Sequence, residues 1–329
     1  MRTLCLLALL GCGSNHDATI DAAKQIDART ADARPDAPAD ALFDAPLAPL
    51  GAHRFVIDHQ HLPTNNTEAR TYGLDLNGDA VVDNQLGMVN AAIAGMGFSA
   101  QPVLDHAIDT GSVEILADLE AADLTTAAQA TFTLFDGTNA MPAPCNGSSD
   151  TTCRHHLAGT ATFDLAAGSP HDPALAGSIA AGVVTAGPGT LHLRTNAFGS
   201  MVDLHLFGAR VRLSSPTEAS VMTGVIAGAI TQQEIDTSLL PPLQISLTAQ
   251  IGLDCSALTS PPGCGCTSGS SGATMISLFD TNQDCAVSLA EIKSSSLLAS
   301  LLAPDVTIDA MPALSVGVGV SAVHAAFTP

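Results

Sequence analysis

Asp280, Asn282 and Asp284 put a side-chain oxygen at every second residue, and Ala286, Ser288 and Glu291 continue the series. Such spacing suits a hard cation. Calcium takes six to eight oxygens at about 2.3–2.6 Å, and alternate residues of a tightly coiled loop aim their oxygens at one point. Counted from Asp280, the side chains fill loop positions 1, 3 and 5. Ala286 at position 7 offers its backbone carbonyl, Ser288 stands at position 9, and Glu291 at position 12 closes the sphere with both oxygens. The sequence therefore predicts a Ca2+ site over 280–291. The plain alternative is an Asp/Asn-rich surface turn.

The pattern resembles the EF-hand loop, with one departure. Position 6 is ordinarily Gly because the chain turns there with positive φ, and this chain has Cys285. A Cβ at positive φ costs about 1 kcal/mol or somewhat more. Weakened affinity is expected unless a disulfide at Cys285 holds the loop in shape. The closing Glu usually begins a helix. Ile292, Leu297, Leu298, Leu301 and Leu302 follow at helical spacing, until Pro304 stops the run.

A second set of oxygens lies earlier in the chain. Asp75, Asn77, Asp79 and Asp83 match positions 1, 3, 5 and 9 of a loop over 75–86, with the Val81 carbonyl at position 7. Position 12 is Leu86, so the last ligand must come from elsewhere: Asn84, Gln85 or a distant carboxylate. This loop is similar to the truncated calcium loops of dockerins and other extracellular repeats. A helix is expected near Met88–Ala94. The two loops lie too far apart in sequence to form an ordinary adjacent pair.

The N-terminus bears on compartment. Met1-Arg2 precedes the apolar run Thr3–Leu10, which is too short to span a membrane. Leu9-Leu10-Gly11-Cys12 resembles the lipobox of a bacterial lipoprotein signal peptide. The resemblance implies cleavage after residue 11 and acylation of Cys12; two or three chains then anchor stably. Gly13 and Ser14 follow with no adjacent Asp, which in lipoproteins favours the outer membrane, periplasmic or cell-surface. Residues 12–51 carry recurrent Asp-Ala pairs with interspersed Pro, a tether with too little apolar surface to fold. Residues 52–329 are read as one globular domain.

The net charge of −21, with only Lys24 and Lys293 as lysines, argues against nucleic acid as a partner. An acidic surface suits a cation-binding protein. The chain has no Trp and a single Tyr, which weakens a carbohydrate-binding reading. Beyond Cys5 and Cys12, six cysteines remain, an even number that in an exported chain reads as disulfides. Cys145 and Cys153 flank one short loop and form the obvious local pair. Cys255, Cys264, Cys266 and Cys285 allow three pairings. If all are oxidised, Cys285 bonds to one of the other three and clips the calcium loop to the Gly/Ser/Pro-rich stretch 260–272. A zinc site at Cys264-Gly-Cys266 has the wrong spacing and no neighbouring His.

His53–Leu62 alternates as a strand, and 88–120 reads as mostly helical. Short β-prone runs follow between about 130 and 213, separated by turn signals such as Asp136-Gly137 and Gly187-Pro188-Gly189. Val221–Leu247 reads as helices broken at Pro241-Pro242, and Leu314–Phe327 as a strand. The expected fold class is α+β, an antiparallel β-sandwich or barrel-like core with flanking helices and embedded EF-hand-like loops.

The lipobox, the Asp-Ala tether, the blocks 73–87 and 279–291 and the run Leu314–Val323 occur together. Together they resemble predicted lipoproteins of unknown function from myxobacterium-like Gram-negative bacteria. That resemblance implies compartment and calcium but no reaction. No Gly-x-Ser-x-Gly, His-Glu-x-x-His, Walker or Gly-x-Gly-x-x-Gly motif is present. His53, His59 and His61 could share a strand face and hold a transition metal, although such histidines are more often hydrogen-bonded to neighbours. The leading expectation is a calcium-stabilised, membrane-anchored binding or structural module, more a binder than an enzyme, its partner unspecified. A calcium-stabilised hydrolase is the alternative, favoured by an acidic or His-lined cleft. Ligand carriage within the β core is a third reading, favoured by a large apolar cavity.

Overall fold

The computed structural model describes residues 49–329 except 96, 98, 198, 199 and 256–263. The signal segment 1–11, Cys12 and nearly all of the 12–51 tether lie outside the described residues. The chain begins with β1 (Gly51–His61) and then α1 (Asn66–Thr71), α2 (Leu86–Gly95) and α3 (Ala100–Asp109). Next come β2 (Ile115–Ala121), β3 (Ala127–Met141), β4 (Ala161–Leu165), β5 (Leu175–Ala180), β6 (Val183–Ala197), β7 (Ser200–Pro216) and β8 (Ser220–Ile230). A second helical run holds α4 (Gln232–Glu234), α5 (Leu240–Asp254), α6 (Ser271–Phe279), α7 (Leu289–Ser294) and α8 (Ser296–Leu301). The short β9 (Val306–Ile308) and the long β10 (Met311–Ala326) end it.

The strands form a ring. β1 pairs with β2, β2 with β3, β3 with β5, β5 with β6, β6 with β7, β7 with β8, β8 with β10, and β10 with β1. Every pairing in the ring is antiparallel, so the core is the barrel form of the expected architecture. β4 lies beside β3 and, in parallel, beside β10, while β9 pairs with the start of β10. Closure leaves the ring strands with no free edge to recruit another chain. β7 shows the sidedness: Val202, Leu204 and Leu206 are buried, whereas Asp203 and His205 between them are exposed. Along this stretch the apolar side chains face the core, whereas a barrel that crosses a membrane by its strands turns apolar side chains to lipid. Among the described residues no helix is long and apolar enough to cross one either.

Four expectations need correction. Residues 115–121 form β2 rather than helix; all of them but Glu120 are buried, and a strand covered on both faces loses the period-two signature. Ser220–Ile230 is strand β8, although its Ala and Gly content reads as helical or neutral. Small residues are required there: a Cβ on Gly224 would meet Leu213 Cδ2 at 2.7 Å, and one on Gly228 would meet Leu206 Cβ at 2.9 Å. Packing between neighbouring strands overrides local propensity. Pro241-Pro242 does not break a helix. The helical run continues from α4 through a π-helical stretch, Ile235–Leu239, into α5, and the two prolines come one residue after that wider turn. The helix expected from Ile292 is likewise two helices, because Ser295 takes an extended conformation and caps α8.

The helices cover one side of the ring. α3 packs against both β1 and β6, which are not neighbours in the barrel, and α2 lies on β10. α5 packs on β7 and against α6 and α7.

Candidate metal centres

The loop 280–291 joins α6 to α7, a helix–loop–helix arrangement. Asp280 Oδ1 and Oδ2 accept from the backbone N–H of Asp284 (3.0 Å) and Cys285 (2.9 Å). Asn282 Oδ1 accepts from Asp284 N (2.9 Å), and Asp284 Oδ1 from Ala286 N (2.9 Å). These bonds coil the loop and place the side chains at positions 1, 3 and 5 together. Gln283 and Cys285 take φ of 60° and 64°, so position 6 has the left-handed conformation that the pattern demands of a Gly. Cys285 is bonded to Cys264, one of the three pairings left open by the sequence. Cys255–Cys266 is then the second bond of that group, and Cys145–Cys153 the local one.

Glu291 is buried and anchors the loop. Its Oε1 accepts from Thr281 N (3.0 Å) and Asn282 N (3.2 Å), and its Oε2 from Ser288 N (2.9 Å) and the Ser288 hydroxyl (2.8 Å). The Ser288 hydroxyl in turn caps α7 by accepting from Glu291 N, completing a capping box. Burial disfavours the Glu291 carboxylate, but the hydrogen bonds from Ser288, Asn282 and Thr281 prevail and hold its pKa below the ordinary value. The group is thus ionised at neutral pH, as a calcium ligand must be.

The loop 75–86 repeats this geometry almost bond for bond. Asp75 Oδ2 accepts from Ala80 N (2.9 Å), Asn77 Oδ1 from Asp79 N (3.0 Å), and Asp79 Oδ1 from Val81 N (2.8 Å). Gly78 and Ala80 have φ of 85° and 66°, at the same loop positions as Gln283 and Cys285. The first loop has Leu86 where the second has its closing Glu, so another side chain must make that bond. Asn84 does not, since its amide group bonds Ala69 O, Tyr72 O and Gly317 O and accepts from Leu86 N and Gly317 N. Asp83 does: its Oδ2 accepts from the amide of Leu76 at 2.8 Å, the position-2 bond that Glu291 makes to Thr281. A bridge between Leu74 and Asp83 folds the loop back so that the shorter side chain reaches. Burial is the largest influence on Asp83 and raises its pKa; the charges of Asp79, Asp305 and Asp75 add to this. Asp305, just before β9, acts on Asp83 through its charge while its two oxygens accept from Ser315 N and the Ser315 hydroxyl. Sequence reading missed it because it is more than 200 residues away.

Oxygen donors fill both loops, which fits a hard cation. Cys264, Asp280 and Cys285 also form a group with donor atoms within 4.8 Å of one another, of the kind that can hold a metal. Their two sulfurs are joined in the disulfide, so of the three only Asp280 retains an ionic donor.

The histidines of β1 go to separate partners. His53 bonds Ala121 O and Glu218, His59 pairs with Asp105, and His61 with Glu68 while packing on Tyr72. A bulge between Ile57 and His59 shifts the register between them. Three strongly shifted groups lie elsewhere, one of them Asp150, which hydrogen bonds from Asn146, Cys153, His155 and Thr152 hold well below the usual carboxylate range. Burial raises Glu114 to about 7 and, for His156, lowers it to about 4. Comparison with protein-family models, with curated proteins and with solved structures finds no match to this chain.

Proposed function

We propose that this chain is a calcium-stabilised binding module, exported as a lipoprotein and held at the outer membrane through acylated Cys12. One observation carries the calcium reading. Two segments about 200 residues apart, 75–83 and 280–291, adopt one coil with the same left-handed positions and the same carboxylate-to-amide clamp. Chance surface turns have no reason to share that detail. The role is structural rather than sensory, because the first loop leads directly into α2, which lies on β10, and the second into α7, which packs on α5 and α8. Extracellular calcium is on the order of millimolar and would fill even a weak site. Three disulfides are in keeping with an oxidising compartment outside the cytoplasm. The test is a calorimetric calcium titration of metal-stripped, oxidised protein alongside Glu291→Gln and Asp83→Asn. Two events in the parent, each variant losing one, are expected. No heat at millimolar calcium overturns the reading.

A further inference from the structure

Between the helices and the barrel lies a cavity of about 140 Å³. Five consecutive staves of the ring, β1, β10, β8, β7 and β6, send side chains into it, among them Leu193, Leu206, Ile226 and Val318. Side chains from that many adjacent strands converge only on a concave face, so the cavity belongs to the barrel lumen. No charged residue lines it. Of its two polar side chains, Asn90 donates to Pro63 O at 2.9 Å, and Gln60 is buried. Such a wall rejects ions and sugars and accepts hydrocarbon. A cavity of about 150 Å³ lined by Leu, Ile and Phe in another protein takes up benzene, which sets the ligand size near six carbons.

Part of the remaining wall comes from the helices that follow the two loops, the rest chiefly from Leu62, from Ala100 of α3 and from Leu240 and Leu243 of α5. Leu86 is both position 12 of the first loop and the first residue of α2, and Leu86, Val89 and Ile93 face the cavity. The second loop leads through α7 to α8, whose Leu298 lines it too. Ordering either loop therefore fixes one wall.

We propose that this cavity binds the end of an uncharged alkyl chain of about six carbons, and that calcium at the two loops tightens the binding. The coupling rests on the calcium reading above; the cavity itself does not. A linkage of ordinary size changes affinity about 5- to 150-fold, and it is reciprocal, so the alkyl ligand must tighten calcium equally.

The test titrates 1-octanol into the full oxidised protein by calorimetry, in calcium and in chelator, beside a parallel calcium titration. One octanol per chain, at least about fivefold weaker in chelator, is expected. Ala100→Phe, at the cavity rim, places a ring in the space and should remove octanol binding while both calcium events remain. If that variant melts early, Leu206→Ala, which enlarges the lumen, should instead favour 1-decanol over 1-octanol. Phosphatidylcholine vesicles mixed with Cys12→Ala protein, which lacks the acylation site, separate the sources of the chain, Ala100→Phe being made in the same background. Calcium-dependent sedimentation lost in Ala100→Phe assigns it to a membrane lipid; octanol binding without sedimentation assigns it to a free amphiphile. Normal calcium heats with no octanol binding overturn the cavity proposal and leave the calcium reading intact. Octanol binding equal in calcium and chelator overturns the coupling.

Discussion

Cys285 carries a conflict and its resolution in one residue. Its φ of 64° would suit Gly, and a Cβ there costs about 1–2 kcal/mol. The bond to Cys264 offsets this, since closing a loop of 21 residues stabilises by about 3 kcal/mol. Reduction is therefore expected to weaken calcium at 280–291 and spare 75–86. The pair Cys264→Ser/Cys285→Gly should keep near-parental affinity where Cys264→Ser/Cys285→Ser does not, read by calorimetry. Asp83 gives a second prediction. Its raised pKa means that calcium must displace a proton from the first loop over a range where Glu291, its pKa lowered, is already ionised. Lowering the pH below neutrality should therefore weaken the first site before the second, read as the loss of the first calorimetric event while the second persists.

At the scale of elements, the first loop is fastened to β10 by close contact. Asn84 accepts from Gly317 N and donates to Gly317 O, and a Cβ on Gly317 would lie 2.3 Å from Tyr72 O. Gly317→Ala should push the α1–loop unit off the barrel and destabilise by about 1–3 kcal/mol, seen as a lower melting temperature and a weaker first calcium event. The oxygens of both loops were legible in the sequence because alternate donors make a pattern that does not depend on the rest of the fold. The clamp by Asp83 was not, because it needs the Leu74–Asp83 bridge to bring a short side chain back to the Leu76 amide. β2 and β8 were misread for a related reason: burial on both faces and Gly-to-Leu packing are properties of neighbouring strands. The pairing of Cys264 with Cys285 was one of three that sequence could not separate.

For the whole molecule, barrel closure joins β1 to β10 from opposite ends of the described chain, a contact that no local pattern announces. The barrel also buries Glu114, whose pKa rises to about 7. The folded protein keeps this proton while the unfolded chain loses it near its ordinary pKa. Stability should thus be greatest below about pH 4.5 with respect to this group and fall by at most about 3 kcal/mol as pH rises to 7. Glu114→Gln should raise the melting temperature at pH 8 and leave it nearly unchanged at pH 4.5. The lumen adds a second penalty. A cavity of about 140 Å³ at about 24 cal/mol per Å³ costs about 3 kcal/mol, a sum that a bound alkyl chain can return.

Calcium binding is decided by titrating the metal-stripped, oxidised protein and following heat and melting temperature. Two binding events with a rise in melting temperature of several degrees are predicted, one lost in Glu291→Gln and the other in Asp83→Asn. Absence of both heat and stabilisation at millimolar calcium would contradict calcium binding and leave the paired loops as self-bonded turns.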